Sequence, residues 1–137
     1  MEWYHESFVI SDEPDNTSVD ETFALLQTTY WAHKRPLNVV QQIIERSLCF
    51  FLRIDGKQIG FARVITDFVT TSWLADVVLH ETYQKQGLGE WMMKCVLAHP
   101  QLKGTQFALQ TADAHVFYER LGFTQNAALM STRVDYL

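Results

Sequence analysis

Gln84-Lys85-Gln86-Gly87-Leu88-Gly89 combines two glycines with a place at the mouth of an amphipathic helix, and that combination suits an anion. Glycine lets the backbone approach a ligand closely, and the first turn of a helix offers N–H groups without partners at its positive end. A pyrophosphate is the kind of group such a turn holds. Two other phosphate cradles fail on spacing. A P-loop needs Gly-Lys-Ser/Thr after its loop, and a dinucleotide fingerprint needs a third glycine where Met92 stands. The plain alternative is a strand-to-helix turn with no ligand. The five histidines show no paired ligand spacing, so no metal site is read, and no Ser-His-Asp or Cys-His constellation can be assembled.

The elements around this turn follow from periodicity. Glu6 to Ile10 reads as a short first strand and Ser11 to Thr17 as a polar loop. Ser18 with Glu21 forms a capping-box pattern ahead of Phe23, Leu26 and Tyr30 at helical spacing. Pro36 breaks that helix, and Asn38 with Gln41 offers a second capping box before Val39, Ile43 and Ile44. Leu48 to Ile54 and Gln58 to Ile65 are strands joined by Asp55-Gly56, a hairpin turn pair. Trp73 to Leu79 is a further strand, and Leu88, Trp91, Met92, Cys95 and Val96 mark the helix behind the glycine turn. Thr105 to Gln110 reads as a strand, Ala114 to Leu121 as a helix closed by Gly122, and Leu129 to Val134 as a last strand. Strands that precede and follow a helix in this way pair in parallel. The fold class is therefore α/β in the α+β sense: a mixed, mostly antiparallel sheet with one parallel pair, flanked by helices.

Composition narrows the setting. The 137 residues, 47% hydrophobic and 20% charged, suit one globular domain over 1–137 with one core. No apolar run approaches the roughly 18 residues of a membrane span, and Met1 to Glu6 lacks a signal-peptide pattern, so a cytoplasmic protein is expected. Cys49 and Cys95 are expected as buried reduced thiols. A net charge of −5 argues against nucleic acid as a partner and suits a cationic substrate weakly.

The turn closely resembles the Gln/Arg-x-x-Gly-x-Gly/Ala signature of the GCN5-related N-acetyltransferase (GNAT) family. Phe117-Tyr118-Glu119-Arg120-Leu121-Gly122-Phe123 resembles that family's Tyr-Glu-x-x-Gly-Phe segment, in the right order and at about the usual distance. The resemblance covers most of the chain from Leu48 onward. It implies a GNAT-like acyl-CoA N-acyltransferase fold, acetyl-CoA as acyl donor, and N-acetyltransferase activity. By the same resemblance Val77, Val78 and Leu79 would pair their backbone with the pantetheine arm, and Gln84, Lys85, Gln86, Gly87, Leu88 and Gly89 would hold the pyrophosphate. Tyr118 would protonate the departing thiolate, its alternative role being to pack with Phe117 and Leu121. Many relatives carry an asparagine seven residues before that tyrosine, where this chain has Thr111, whose hydroxyl would replace part of the cofactor contact.

The family has no single position for a base. Asp76 is the first candidate because it lies inside an apolar strand beside the expected acyl site, where desolvation would raise a carboxylate pKa. A buried ion pair with Arg63 is the competing reading. Glu81, Asp67 and His115 are further candidates. The acceptor pocket, built in this family from the early helices, points to Tyr30, Trp31, His33 and Arg35, which could bind a cation or a carboxylate or, for the aromatics, belong to the core. The resulting expectation is direct acetyl transfer to a small-molecule amine, with the polypeptide strand polarising the thioester carbonyl. A protein lysine or N-terminus as acceptor, and a non-catalytic acyl-CoA sensor, are the alternatives. An apolar surface around Trp91 or the last strand would allow a homodimer, though no residue pattern specifies one.

Overall fold

A computed structural model of the chain describes residues 1–132. Its elements run β1 (Glu2–His5), β2 (Phe8–Ser11), α1 (Ser18–Leu26), α2 (Leu37–Arg46), β3 (Leu48–Ile54), β4 (Lys57–Thr66), β5 (Thr71–Leu79), α3 (Leu88–Leu97), β6 (Gln106–Leu109) and α4 (His115–Glu119). Six strands form one sheet in sequence order, antiparallel throughout except for β5 and β6, which are parallel. This is the mixed sheet that the strand-helix-strand order implies.

The middle of the chain shows why the pattern folds this way. Asp55 and Gly56 take φ of 50° and 78°, the positive values that a two-residue hairpin turn requires. They bring Ile54 opposite Lys57 and set the β3–β4 register, which shifts once between Leu52 and Arg53. Apolar residues then fall on both faces of β3 and β4. One face packs Phe50, Leu52, Ala62 and Val64 with Leu88, Met92, Met93 and Val96 of α3. The other packs Phe51 and Phe61 with Leu25, Leu26, Val40 and Ile44 of α1 and α2. A sheet covered on both faces explains why its central strands read as continuous apolar runs rather than as alternation.

Five details differ from the sequence-based expectation. The single strand Glu6 to Ile10 is a hairpin, β1 and β2, with Glu6 at φ 53° in the turn. No glycine or asparagine marks that turn, so it left no turn signal. Ser18 is the first helical residue of α1, not its cap, and Thr17 at the cap position makes no side-chain capping bond. Asp15 takes part of that role by accepting the Thr17 N–H at 2.8 Å, while Ser18 Oγ accepts from the Asp15 N–H and from Arg53. α1 ends at Leu26, leaving Tyr30 in the turns before α2. Asn38 lies inside α2, whose cap is Pro36 without a side-chain bond. Of the expected last strand, residues 129–132 have no strand structure and 133–134 lie outside the described residues.

Trp91 is not an exposed apolar surface. It is partly buried on the α3 side of the sheet, with its ring 5.4 Å from that of His5. Both cysteines are buried and free. Burial pushes the Cys49 thiol up to about 12, which keeps it protonated and unreactive.

Candidate active site

The donor side of the site begins where β6 stops. Parallel pairing runs from Thr71 opposite Gln106 to Leu74 opposite Leu109, and β6 ends there while β5 continues to Leu79. Residues 75–79 therefore present a strand edge with no neighbouring strand on that side among the described residues. An extended chain carrying amides can add to such an edge.

β5 leads through a short 3-10 turn, Glu81–Tyr83, into the glycine turn. Gln84 Nε2 donates to the Leu79 carbonyl at 2.9 Å and Gln86 Nε2 donates to the Thr82 carbonyl at 3.2 Å. Both glutamine side chains thus fix the turn and leave its backbone for other partners. Lys85 and Gly87 take φ of 63° and 83°, the left-handed values that bend successive N–H groups toward one point. The first helical bond of α3 joins the Trp91 N–H to the Gly87 carbonyl at 3.1 Å, so the N–H groups of Leu88, Gly89 and Glu90 have no partner inside the helix. Leu88 anchors the helix start with a side chain only 3% exposed. A Cβ on Gly89 would sit 3.8 Å from the Phe117 ring, an ordinary contact, so the fold itself does not demand glycine there. The turn therefore presents unpaired N–H groups at the end of β5, the geometry that suits an anion.

The acceptor side depends on a register shift. Arg63 pairs with Asp76 and Val64 pairs with Leu74, which leaves Ala75 as an extra residue in β5. Such a bulge resets the alternation of a strand. Leu74 and Val77 therefore both pack on the α3 face, while Asp76 shares a face with Val78, toward α1 and α2. There the Asp76 carboxylate, 1% exposed, accepts three hydrogen bonds: from Trp31 Nε1 at 3.1 Å, Arg35 at 2.9 Å and Arg63 Nε at 2.7 Å. Arg63 also donates to Ser47 at 3.1 Å. The ion-pair reading of Asp76 is the one its surroundings support. Buried and engaged by three donors, the Asp76 carboxylate acts as the post that fastens residues 31–35 over the sheet.

Tyr118 lies on α4, stacked edge-on against Phe117 and Phe123 at 5.0 and 5.7 Å between rings. Burial, with the Asp113 charge and Tyr30 nearby, pushes its phenol up to about 12. The proton is therefore in place at every physiological pH. Tyr118, Trp31, Arg35 and Asp76 all line one cavity of about 320 Å³, whose wall also includes Ala75 and Val77 of β5. Thr111 lines it too, but its hydroxyl accepts the Ala114 N–H at 3.1 Å and so shapes the turn into α4. A larger cavity of about 910 Å³ borders β6 and shares Tyr118, yet it reaches neither Asp76 nor the free edge of β5. Chemistry and geometry coincide in the smaller one.

The other base candidates lie elsewhere. Asp67 accepts the N–H groups of Val69, Thr70 and Thr71, and with the Thr70 hydroxyl these hold its carboxyl well below the usual range. Glu81 is exposed in the turn after β5, His115 lines the larger cavity, and exposed His33 turns its ring to the carbonyls of Thr29 and Tyr30. Among the residues of the smaller cavity missed from sequence are Trp73, on β5, and Asp113, on the loop before α4. The polar break Thr111-Ala112-Asp113 was the only signal for the second.

Comparison with known proteins points to one family. Residues 45–125, well over half of the chain, match a family model described as an acetyltransferase (GNAT) domain. A crystal structure of a GNAT-family protein from Xanthomonas campestris pv. campestris is 39% identical and superposes with a TM-score of 0.85, covering 95% of each chain. A curated protein of Prochlorococcus marinus, named an uncharacterized N-acetyltransferase, is 34% identical over 110 residues; the match covers 73% of this chain and 59% of that one. A GNAT family acetyltransferase from Elizabethkingia anophelis, solved with acetyl-CoA bound, is 15% identical with a TM-score of 0.64 over 86% of this chain and 74% of that one, a likeness of fold alone.

Proposed function

The chain belongs to the GNAT acetyltransferase family, and on that premise we propose that it transfers an acetyl group from acetyl-CoA to the primary amine of a small molecule by direct attack. The observation that carries this reading is an unpaired strand edge on β5 that borders the cavity of Tyr118 at residues 75–77 and leads, through Leu79 and a short turn, to the unpaired N–H groups that open α3. The edge at Val77, Val78 and Leu79 suits the pantetheine amides, and the turn Gln84 to Gly89 suits the pyrophosphate. When bound, acetyl-CoA supplies an activated thioester.

The residues of the chain then have three tasks. Backbone N–H groups of β5 polarise the carbonyl, and the aromatic wall of Tyr30 and Trp31 excludes water and orients the amine. Tyr118 donates to the sulfur as its bond to carbon breaks. An ordinary thiol titrates near ~8.5, so full transfer from a phenol near 12 is uphill at first, and hydrogen bonding to the growing negative charge comes before it. The protons balance. An ammonium releases two on becoming an amide; one restores Tyr118 after it has protonated the sulfur, and water takes the other.

A cavity of about 320 Å³ lies at the lower end of small-molecule pockets, which favours a compact acceptor over a folded protein surface. We read the chain as a single catalytic domain because every described strand belongs to one sheet. No helix among the described residues is long and apolar enough to cross a membrane.

The test is thiol release from acetyl-CoA across a panel of amines, with Tyr118→Phe alongside the native chain. Turnover should fall by more than tenfold with the KM for acetyl-CoA nearly unchanged. Equal turnover in the variant would remove Tyr118 from the mechanism, and absence of amine-dependent release would leave only a binding module.

A further inference from the structure

The acceptor cavity contains two carboxylates in different circumstances. Asp76 is buried and engaged by Trp31, Arg35 and Arg63. Asp113, exposed on the loop before α4, makes no hydrogen bond or ion pair among the described residues. It lies close enough to Tyr118 for its charge to act on the phenol. Around it the same cavity presents four aromatic rings, those of Tyr30, Trp31, Trp73 and Tyr118. Two of these are held in place: the Trp31 indole by its bond to Asp76, and Tyr30 edge-on to Trp31 at 5.0 Å between rings. Aromatic faces attract a cation through their negative quadrupole, and an unengaged carboxylate adds a full charge and lone pairs for N–H donors.

Resting on the acetyltransferase reading above, we propose that the acceptor is a compact amine bound as its ammonium cation, and that Asp113 is the residue that anchors it beside Tyr118. Both arginines of the cavity are ion-paired with Asp76, so the cation is selected by the aromatic rings and Asp113. An anchor on an exposed loop binds moderately, which suits a substrate that must leave as a neutral amide. Acetylation removes the positive charge, and with it the attraction to both Asp113 and the rings.

The experiment measures binding to the full chain saturated with coenzyme A, by ligand-observed NMR, for three probes of one shape: 2-phenylethylamine, 2-phenylethanol and 3-phenylpropionate. The native chain should bind the ammonium at least tenfold more tightly than the alcohol or the carboxylate. Asp113→Asn should weaken the ammonium roughly fivefold and leave the alcohol within twofold, with acetyl-CoA affinity unchanged as a check on folding. Preference for the carboxylate, equal ammonium binding by the variant, or no binding of the ammonium would each overturn the proposal. Loss of acetyl-CoA binding by the native chain is the separate result that would strike the acetyltransferase reading itself.

Discussion

The donor and acceptor halves of the candidate site are made of different material, and of the donor half only residues 75–77 line the cavity. The donor half is backbone: a strand edge from 75 to 79 and the N–H groups that open α3, fixed by two glutamine amides and two left-handed residues. The acceptor half is side chain: Trp31 and Arg35 from the turns before α2 and Arg63 from β4, drawn onto Asp76 of β5. Backbone geometry tolerates almost any side chain pointing elsewhere, so a donor half of this kind can stay constant while its surroundings change. A side-chain assembly fails or changes with single residues, which suits the half that must choose a substrate.

That contrast can be broken or sharpened experimentally, and the largest effect belongs to Asp76. Asp76→Ala removes the partner shared by two arginines and one indole, and should cost about 3 kcal/mol of stability. A thermal melt should show a fall of roughly 10 °C in Tm. If the halves are independent, the acetyl-CoA affinity of the folded variant stays within about twofold. A collapse of that affinity at temperatures where the variant is folded would show the two halves to be one unit.

Gly87→Ala is the converse test. A Cβ there meets nothing within 4 Å, so its cost comes from φ of 83° alone, about 1 kcal/mol. The expected result is an acetyl-CoA Kd weakened roughly fivefold with the KM for the amine unchanged. An equal rise in the amine KM would blur the division.

The smallest effect is an absence. The proposed role of Tyr118 as proton donor needs the neutral phenol, and with its pKa raised to about 12 that form is lost only as pH rises through that value. At saturating amine, kcat should therefore show no decline centred near ~10, where an ordinary tyrosine ionises. A clear drop there would mean that the phenol is not shielded in the working enzyme.

The same contrast explains what could be read in advance. The Asp55-Gly56 hairpin and the Gly87 turn were legible because each needs a positive φ, and glycine declares it locally. The parallel pairing of β5 and β6 followed from the helix between them. The Glu6 turn was not legible, because a glutamate there takes φ of 53° under tertiary constraint that no local residue announces. Nor was the bulge at Ala75, which depends on the β4–β5 register and decides which face Asp76 occupies. Trp31, Arg35 and Asp76 were each picked out singly, and the pairing of Arg63 with Asp76 was weighed, but their convergence spans 41 to 45 residues of sequence for the two partners on the early segment. Asp113 carried no signal beyond the polar break Thr111-Ala112-Asp113, since a carboxylate in a polar loop is ordinary until a cavity is seen beside it.

The most direct measurement is a calorimetric titration of the purified chain with acetyl-CoA, with coenzyme A and ATP as comparisons. Saturable micromolar binding of acetyl-CoA and of coenzyme A, absent with ATP, is the predicted result. No binding of acetyl-CoA would mean that Gln84 to Gly89 is only a turn between β5 and α3, and the proposed function would fall with it.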